Sequence, residues 1–487
     1  MKSKIRLIII IAVVALLLGG AVLALKLTAP ESEPEEETAE AEVTSSLLYD
    51  KNPDDILSIT IKNETSEYTV ERFGEELFHI WVVPEYIEAP IDGNVISELR
   101  QNAATLTAQK TVAENVEDLS IYGLSTPRGE YKVEFDDSDK TVKEICIGSA
   151  VPGKSSTAYV CFKGENTVYT VKSSAISCFL EDKRSCIETT VYTARTAVDE
   201  SDTTDYTRIN KMTVQRKDID YDIVIEYDKR QDDEDAIIAN SSLYRLTSPV
   251  TLDLNPDKCS AFTTGMFGLT ASDFAVLNPS EEQKAEYGFD DPYADIDADI
   301  VGGKFHLIVG DPYNNEEGVQ AGYYAMVEGI DVIYMFENGT LPWLDTMPLD
   351  LTISMITSNY VFTINSIDIT GSAEAHFTMT GSSNDDFAVK LNGNDVDASS
   401  FKTLYQFILG APAEQLHLEE PTGEPDLTID IKTETGGDVL EFYPTESRRT
   451  IIKLNGVPSF SCKTAYLERL KENIKLFENG EAIVENW

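Results

Sequence analysis

An internal repeat constrains the fold of this chain more than any other feature of its sequence. The segment SIYGLSTP at 120–127 recurs as AEYGFDDP at 285–292, a separation of 165 residues. The same separation carries further positions of the first copy onto the second, namely Pro84 onto Pro249, Tyr159 onto Tyr324, Gly164 onto Gly329 and Tyr169 onto Tyr334. At a separation of 162 residues, EICIGSA matches HLIVGDP, with Gly148 on Gly310. Because several matches at one separation rarely arise by chance, the sequence predicts tandem copies of one structural unit.

A third and weaker copy follows the first two. The segments SITI (58–61), KMTV (211–214) and SIDI (366–369) each open a copy. Near the end of the chain, VPSFSCKTAYLERL resembles TVYTVKSSAISCFLE of the first copy, but this third copy lacks the Tyr-Gly turn and the glycine that we expect to end a strand. We therefore predict three units, which we call repeat one (49–198), repeat two (199–350) and a degraded repeat three (351–487).

Within each repeat, the pattern of apolar residues predicts short strands and short helices. Segments such as SITIKN and EYTVER alternate with a period of two, which is typical of half-buried strands. Asp92, Asn255 and Asp397 each precede an apolar stripe of helical period and are good helix N-caps. A further short helix is expected at 173–180. Strands outnumber helices and are joined by short turns, so we predict an α+β class with mainly antiparallel sheets.

The N-terminal residues predict a membrane anchor. Lys2, Lys4 and Arg6 precede an uncharged apolar run from Leu7 to Leu25. A helix of that length spans about 29 Å, close to the thickness of the bilayer hydrocarbon. A cleaved signal peptide is the alternative, although its apolar region is usually shorter. We predict that residues 1–27 form an uncleaved single-pass transmembrane helix in the cell membrane, with a cytoplasmic N-terminus and an extracytoplasmic body.

An acidic segment separates the anchor from the repeats. Residues 28–48 are rich in glutamate and contain few large apolar residues, so we expect a disordered, solvated spacer. The whole chain carries a formal net charge of −46. Such a charge repels nucleic acid, and we expect no nucleic-acid partner. Its simplest consequence is solubility outside the cell.

The segment GSAVPGKS at 148–155 fits the phosphate-loop pattern but lacks the required context. A functional phosphate loop joins a strand to a helix, whose N-terminal N–H groups hold the phosphates. Here the following residues, STAYVCFKGENTVYTV, alternate with a period of two and predict a hairpin. In the second copy, the equivalent loop GDPYNNEEG carries acids. We therefore predict no nucleotide binding.

Other patterns that could carry chemistry are weak. The histidines have no carboxylate or cysteine at ligand spacing along the sequence; they are His79, His306, His376 and His417. In DDPYADIDAD (290–299), the glycine and glutamate of a calcium loop are missing, so Asp297 and Asp299 are predicted to be outward residues of a strand. Trp81 aligns with Leu246, which favours a core position over a carbohydrate surface. The sequence predicts no catalytic residue, no cofactor site and no metal site.

The cysteine spacing does not define a disulfide framework. No CxxC pair is present among the six cysteines, Cys146, Cys161, Cys178, Cys186, Cys259 and Cys462. Outside the membrane they could pair, and Cys146 with Cys161, on neighbouring predicted strands, is one possibility. The connectivity stays open at this stage.

Together, the anchor, the acidic spacer and the tandem units of the form W-x-x-P, helix, Y-G-L-x-x-P, I-G resemble DUF4340, a family of envelope proteins of unknown function. The resemblance is well matched in residues 58–182 and 209–345 and faint in 364–475. It implies an envelope location and a neighbouring ABC transporter of the gliding-motility type as the partner, through its permease or its extracytoplasmic subunit. The expected function is a non-enzymatic accessory or scaffold subunit of an export complex. The alternative is a cell-surface protein that binds glycan or processes a polymer.

Overall fold

The computed structural model describes residues 45–75, 78–199, 201–232, 242–353, 355–434 and 436–487. The predicted anchor at 1–27 and nearly all of the predicted spacer at 28–48 lie outside these residues. Within the described ranges, no helix is both long and apolar enough to cross a membrane.

Repeat one consists of one main sheet, a helix and a small two-stranded ribbon. Its helix α1 spans Gly93–Ala104. Its strands are β1 (Ser46–Asp50), β2 (Ile56–Asn63), β3 (Glu67–Glu75), β4 (Phe78–Val82), β5 (Thr105–Ala108), β6 (Lys110–Ala113), β7 (Gly129–Phe135), β8 (Val142–Val151), β9 (Lys154–Phe162) and β10 (Val168–Lys172). The main sheet has the order β4-β3-β2-β7-β8-β9-β10-β6, and β1 pairs with β5. The first strand thus begins at Ser46, inside the segment 28–48 that is predicted to be a disordered spacer.

Repeat two is preceded by β11 (Thr190–Tyr192) and contains the helices α2 (Pro256–Thr264) and α3 (Glu281–Glu286). Its strands are β12 (Ile209–Arg216), β13 (Ile223–Tyr227), β14 (Tyr244–Ser248), β15 (Leu252–Asp253), β16 (Leu269–Thr270), β17 (Asp273–Leu277), β18 (Ala294–Ile300), β19 (Gly303–Asn314), β20 (Gln320–Val327) and β21 (Val332–Glu337). The sheet order is β15-β14-β13-β12-β18-β19-β20-β21-β17, while β11 pairs with β16.

Repeat three contains the helices α4 (Ala398–Leu409) and α5 (Thr464–Glu478). Its strands are β22 (Ile364–Gly371), β23 (Ala375–Thr380), β24 (Ala388–Leu391), β25 (Asn394–Val396), β26 (Gln415–Leu416), β27 (Leu427–Thr433), β28 (Gly436–Pro444), β29 (Arg449–Leu454) and β30 (Val457–Lys463). The sheet order is β25-β24-β23-β22-β27-β28-β29-β30-β26.

The three main sheets follow one path. The chain starts in the middle of each sheet, moves by hairpins to one edge, forms a helix, and returns to the middle before moving to the other edge. A strand from the segment after the helix closes this second edge: β6 in repeat one, β17 in repeat two and β26 in repeat three. Neighbouring strands are antiparallel, as the short turns predict. The α+β prediction is confirmed, and the fold is rich in β-structure.

The predicted helix caps are confirmed in all three repeats. The side chains of Asp92, Asn255 and Asp397 each accept hydrogen bonds from backbone N–H groups in the first turn of the helix that follows. These N–H groups have no partner within a helix, so a carboxylate or amide oxygen at this point stabilises the helix start. Pro256 occupies the first helical position, where its missing N–H costs nothing.

Short 3-10 turns complete the fold. They span Pro53–Asp55, Pro84–Tyr86, Leu119–Tyr122, Ser173–Ala175, Ser177–Leu180, Lys183–Cys186, Lys229–Asp232, Pro348–Leu351 and Val361–Thr363. The helix predicted at 173–180 is therefore two consecutive 3-10 turns in repeat one. Its counterpart in repeat three is a full α-helix, α5.

The Tyr-Gly turn of repeat one rests against a bulge in β8. Gly123 ends a 3-10 turn in the left-handed conformation, with φ at +70°. A Cβ at Gly148 would lie 2.3 Å from the carbonyl oxygen of Tyr122, so only glycine fits there. The strand continues past Gly148, with a shift of register between Ile147 and Ala150. Our expectation that this glycine ends a strand is wrong, because the glycine lies at a β-bulge within one.

Repeat two has the same arrangement at the equivalent positions. Gly288 is left-handed, with φ at +85°. A Cβ at Gly310 would lie 2.2 Å from the carbonyl oxygen of Tyr287. The register of β19 shifts between Val309 and Pro312, so Gly310 also lies at a bulge rather than at a strand end. Gly148 and Gly310, which align in sequence, therefore also occupy the same position in the two folded repeats.

The contacts do not divide the chain as the repeats do. Among the described residues, one compact unit holds 45–72 together with 97–182, and the other holds those of 73–96 together with those of 183–487. Repeats two and three share one apolar core in this second unit. Ala89, which belongs to repeat one by sequence, is part of the same core. The ring of Tyr86 also meets Phe274 edge to face at 6.4 Å, within the second unit.

Candidate functional site

The segment GSAVPGKS forms a hairpin turn between β8 and β9. Gly153 has φ at +78°, as the turn requires. Lys154 begins β9 and is exposed. This strand pairs with β8 on one side and β10 on the other, so its backbone groups belong to sheet ladders. The prediction that a strand follows this segment is confirmed, and no helix start is present here to hold a phosphate.

A cavity of about 310 Å³ lies where repeat two meets repeat three, inside the second compact unit. Its walls come from β14 and β15 of repeat two and from β28, β29 and β30 of repeat three. A further part of the wall comes from residues 353 and 355–358 at the start of repeat three, which together with Asn359 we call the joining segment. A neighbouring pocket of about 200 Å³ shares Met355 and Ser358 with it. The joining segment therefore runs between two concave surfaces, and no pattern in the sequence indicated either of them.

Asp253 is the central charged group of this cavity. The side chain is buried in β15, and its carboxylate accepts a hydrogen bond from Nη2 of Arg230 at 2.6 Å. Nε of Arg245 lies 3.0 Å from the same carboxylate. The hydroxyl of Ser358, in the joining segment, donates a further hydrogen bond to it. Arg230 also pairs with buried Asp228, at 2.6 Å. The carboxylate of Asp253 thus has two arginines and a serine as partners, and Arg230 is shared with the carboxylate of Asp228.

These contacts keep Asp253 ionised. Burial, the largest single influence, acts to raise the pKa of Asp253. The hydrogen bond from Ser358 and the charges of Arg230 and Arg245 act in the opposite direction and together hold the pKa below its usual value. A carboxylate in this state is a weak base, so Asp253 is unsuited to accept a proton from a reacting group.

Asp438 of β28 holds the joining segment from the side of repeat three. Its carboxylate accepts hydrogen bonds from the hydroxyl of Thr357 at 2.5 Å and from the side-chain amide of Asn359 at 2.6 Å. Asn455 donates to its other oxygen at 2.9 Å. The backbone oxygen of Asn359 in turn accepts a hydrogen bond from Tyr405, at 2.6 Å. The joining segment is thus tied to repeat three by Asp438 and to repeat two by Asp253.

The polar side chains that line this cavity are hydrogen-bonded to one another or to the groups around them. Among the described residues that line it, none is a histidine or a cysteine. The hydroxyls of Thr357 and Ser358 donate to the carboxylates of Asp438 and Asp253. The guanidinium of Arg245 is one third exposed and offers further donors towards the cavity.

His306 has carboxylate neighbours that sequence spacing did not reveal. Its Nε2 lies 3.1 Å from Asp295, on the adjacent strand, and its Nδ1 lies 3.4 Å from Glu328. Partial burial acts first, to lower the pKa of His306, but the two carboxylates together raise it above its usual value. His376 similarly lies 2.5 Å from Asp368. The register of the strands creates these pairs, and a single sequence does not give that register. The side chain of His79 lies outside the described residues.

The acidic stretch at 290–299 lies mostly in a strand, as predicted. Ile296, Ala298 and Ile300 of β18 are buried, while Asp297 and Asp299 are exposed. In the part of the chain that the structure describes, no group of three or more histidine, cysteine or acidic side chains is arranged to hold a metal ion.

A further pocket, on repeat two, contains the aromatic side chain of Tyr323 in its lining. This pocket of about 300 Å³ is lined by Tyr323, Gln320, Asn338 and Asp345, with further side chains. The ring of Tyr323 stacks on that of Tyr293, with centroids 5.2 Å apart. An aromatic face beside amide and carboxylate groups is a polar arrangement suited to a hydroxylated ligand.

The tryptophans occupy three different environments. Trp343 is fully buried and donates from Nε1 to the carbonyl oxygen of Phe262 at 2.8 Å. Trp81 lies in β4 and is half-buried, whereas Leu246, at the equivalent position of β14, is fully buried. Trp81 is predicted to be a core residue, but its side chain is only half-buried. Trp487 is exposed and meets Tyr466 edge to face.

Comparison with known proteins gives one match. The family model described as Domain of unknown function (DUF4340) matches residues 81–292 and, separately, residues 244–426. The two matches begin at Trp81 on β4 and Tyr244 on β14, which are equivalent strands of repeats one and two. Together they cover more than half of the chain. No curated protein and no solved structure matches it.

Proposed function

The chain belongs to the DUF4340 family, and from this membership we propose that it is a membrane-anchored extracytoplasmic repeat protein. In this proposal it acts as a non-enzymatic accessory or scaffold subunit of an ABC-type export complex. The apolar run from Leu7 to Leu25 is the proposed anchor, and the proposed partners are the permease or the extracytoplasmic subunit of the transporter.

One observation carries the proposal. The charged groups around the cavity between repeats two and three, among them Asp253 and Asp438, bond to neighbours that join the two repeats. A site that catalyses a reaction keeps a nucleophile or a base available for its substrate. Groups that are committed to one another instead fix the relation of one repeat to the next. This is what a scaffold requires.

The charge of the chain also supports an extracytoplasmic scaffold. A net charge of −46 suits a surface that stays soluble and does not adhere to acidic lipids or nucleic acid. Repeat proteins commonly use their extended surfaces to bind other proteins, because each repeat adds a similar surface.

Co-purification tests this function directly. The full chain, with a C-terminal affinity tag, is expressed at its native level, and membranes are solubilised in mild detergent. We expect a permease and an ATPase to be recovered in amounts comparable to the tagged chain. A tagged single-pass protein of unrelated sequence is the control for non-specific recovery. Recovery of cell-wall glycan without transporter subunits would contradict the proposal.

The pocket beside Tyr323 favours a second candidate function, glycan binding at the cell surface. The ring of Tyr323, next to the side-chain amides of Gln320 and Asn338, could hold a sugar ring. Titration of the full chain with soluble cell-wall oligosaccharides tests this. If glycan binding is the function, Tyr323→Ala reduces the affinity at least tenfold, whereas Tyr360→Ala, an exposed tyrosine of repeat three, leaves it unchanged. No heat of binding for either protein would exclude this candidate.

A further inference from the structure

Two cysteines face each other across neighbouring strands of repeat one. Cys146 of β8 and Cys161 of β9 are direct partners in the antiparallel register. Residues directly opposite in such a ladder have Cα atoms about 4.5–5.5 Å apart. A disulfide accepts Cα separations of about 4.4–6.8 Å, so a bond between these sulfurs needs little backbone movement.

The surroundings of the pair are apolar. Cys146 is 7% exposed and Cys161 is 3% exposed. With Leu124 and Val168 they form a small cluster of their own, onto which the ring of Tyr122 packs. A disulfide is uncharged and less polar than two thiols, so oxidation leaves no buried charge and no unsatisfied polar group at this point.

Repeat two supplies an internal comparison. The register partners at the equivalent positions of β19 and β20 are Ile308 and Met326. The fold therefore tolerates two apolar side chains at these positions, and packing alone does not explain why repeat one has two cysteines there. Among the described strand pairs, Cys146 and Cys161 are the cysteines that stand opposite each other; Cys462, on β30, stands opposite Thr450.

We infer that Cys146 and Cys161 form a reversible disulfide site, which is oxidised by thiol–disulfide exchange with a small-molecule disulfide or an oxidoreductase disulfide. This inference does not depend on the proposed function. The bond joins β8 to β9 across the GSAVPGKS hairpin, and its formation closes the loop from 146 to 161.

The exchange proceeds in two balanced steps. The thiolate of Cys161 attacks one sulfur of the external disulfide, forms a mixed disulfide and releases the first external thiol. Cys146 then loses its proton and attacks the sulfur of Cys161, which releases the second external thiol. Two protein S–H groups become one S–S bond, and the two hydrogens leave on the two external thiols. The interaction of each thiol with the other raises the pKa of Cys146 and lowers that of Cys161, consistent with Cys161 as the first nucleophile.

The experiment equilibrates the full chain with reduced and oxidised glutathione in defined ratios. Thiols are then counted in denaturant, and the quenched protein is mapped by mass spectrometry. We expect two thiols fewer than the six of the reduced chain, an intact mass lower by about 2 Da, and a cross-linked peptide that contains both residues. A count of six thiols in excess oxidised glutathione, or a bond to another cysteine, would overturn the inference.

Matched variants separate this pair from the other cysteines. Replacement of the pair by the residues of repeat two, Cys146→Ile with Cys161→Met, is expected to abolish the change in thiol count. Cys178→Ala, a buried cysteine of the same compact unit without a cysteine partner, is expected to leave the cross-linked peptide intact. If the double variant does not fold, the peptide map of the unmodified chain still decides between the two outcomes.

Discussion

The ring of Tyr122 meets the ring of Tyr159 edge to face, with centroids 5.0 Å apart. Tyr287 and Tyr324 make the same contact in repeat two, with centroids 4.6 Å apart. Each pair joins the Tyr-Gly turn to the strand beyond the bulge. Edge-to-face pairs of this kind contribute about 0.5–1.5 kcal/mol beyond the area they bury. The repeated tyrosines and glycines therefore describe one packing motif, in which the turn, the bulge and the aromatic pair depend on each other.

We predict that Gly148→Ala and Gly310→Ala destabilise the fold. In both cases the new Cβ would collide with a backbone carbonyl, which cannot rotate away as a side chain can. Overpacking of this kind costs about 1–3 kcal/mol. Denaturant titration should show a lower midpoint for the transition of the compact unit that carries the change. Gly93→Ala is the control, because nothing lies within 4 Å of the added Cβ. An unchanged midpoint for Gly148→Ala would contradict the packing motif.

Asp253→Ala is expected to destabilise the second compact unit by about 2 kcal/mol. Removal of one partner from a fully buried ion pair typically lowers the free energy of unfolding by about 3–5 kcal/mol. We expect the smaller loss of about 2 kcal/mol here because the side chains of Arg230 and Arg245 are 38% and 33% exposed, so water can solvate them. Asp395→Ala, which breaks an exposed ion pair of the same unit, should cost less than about 0.5 kcal/mol. Equal midpoints for the two variants in urea would show that the network around Asp253 contributes nothing.

The low pKa of the Asp253 carboxylate predicts that the protein becomes less stable at acidic pH. Because the folded-state pKa of Asp253 lies below its usual 3.8, the unfolded chain binds the proton more readily. The stability that Asp253 contributes is therefore present above about pH 4 and is lost as the pH falls through its folded-state value. Asp253→Asn should flatten this part of the pH profile, measured as urea midpoints between pH 2 and pH 5. A profile that keeps the slope of the unmodified chain would count against the assignment.

Alkaline pH should destabilise the first compact unit. Burial raises the pKa of Tyr49 to about 12, and it also raises the pKa of Tyr131, whose hydroxyl lies 3.0 Å from that of Tyr49. The folded chain thus holds protons that the unfolded chain releases near pH 10, and stability falls as the pH rises from about 10 to 12. Absorbance of ionised phenol should rise together with unfolding. Tyr49→Phe should weaken this dependence, whereas Tyr159→Phe, outside this pair, should not. Phenol ionisation that is complete before any unfolding would contradict the prediction.

We expect Lys154→Ala to leave the stability unchanged, and we expect no nucleotide binding with or without Lys154. Lys154 is exposed at the start of a strand, so the change in unfolding free energy should stay within about 0.5 kcal/mol. Calorimetric titration with millimolar ATP is expected to show no saturable binding to either protein. Saturable binding that disappears in Lys154→Ala would identify a nucleotide site and exclude our reading of the hairpin.

The predicted topology can be tested with a protease. A protease added to intact, wall-stripped cells should cut within residues 28–48 and release the acidic body into the medium. Permeabilised cells give the total amount that can be released. If the body is protected in intact cells and cut only after permeabilisation, it lies in the cytoplasm.

Local patterns predicted much of this fold, because local forces determine them. Asp92, Asn255 and Asp397 were identifiable as caps since each satisfies N–H groups only two or three residues away. The alternation in β18 likewise placed Asp297 and Asp299 outside, because a strand that is buried on one face imposes a period of two. The third sheet keeps the common strand order although its Tyr-Gly turn is missing, so the order depends on the apolar pattern rather than on that motif.

Contacts between distant residues could not be predicted from the sequence. Arg230 and Asp253 meet through the fold of repeat two, and Ser358 reaches Asp253 from repeat three; each lies more than twenty residues from the next. The bulge at Gly148 was read as a strand end, since a glycine alone does not show whether the ladder resumes beyond it. His306 and Asp295 become neighbours only through the register of β18 and β19. Such pairs depend on tertiary structure and leave no periodic trace in the sequence.

The segment 73–96 limits how far this protein can be treated as modular. It belongs to repeat one by sequence, yet its contacts place it in the compact unit that contains repeats two and three. A deletion of repeat one would therefore remove Ala89 from the core of the residues that remain. Gain or loss of whole copies, the usual way in which tandem arrays change length, would leave a gap in the neighbouring copy. The repeats of this chain are consequently not independent modules, because part of repeat one completes the core of repeat two.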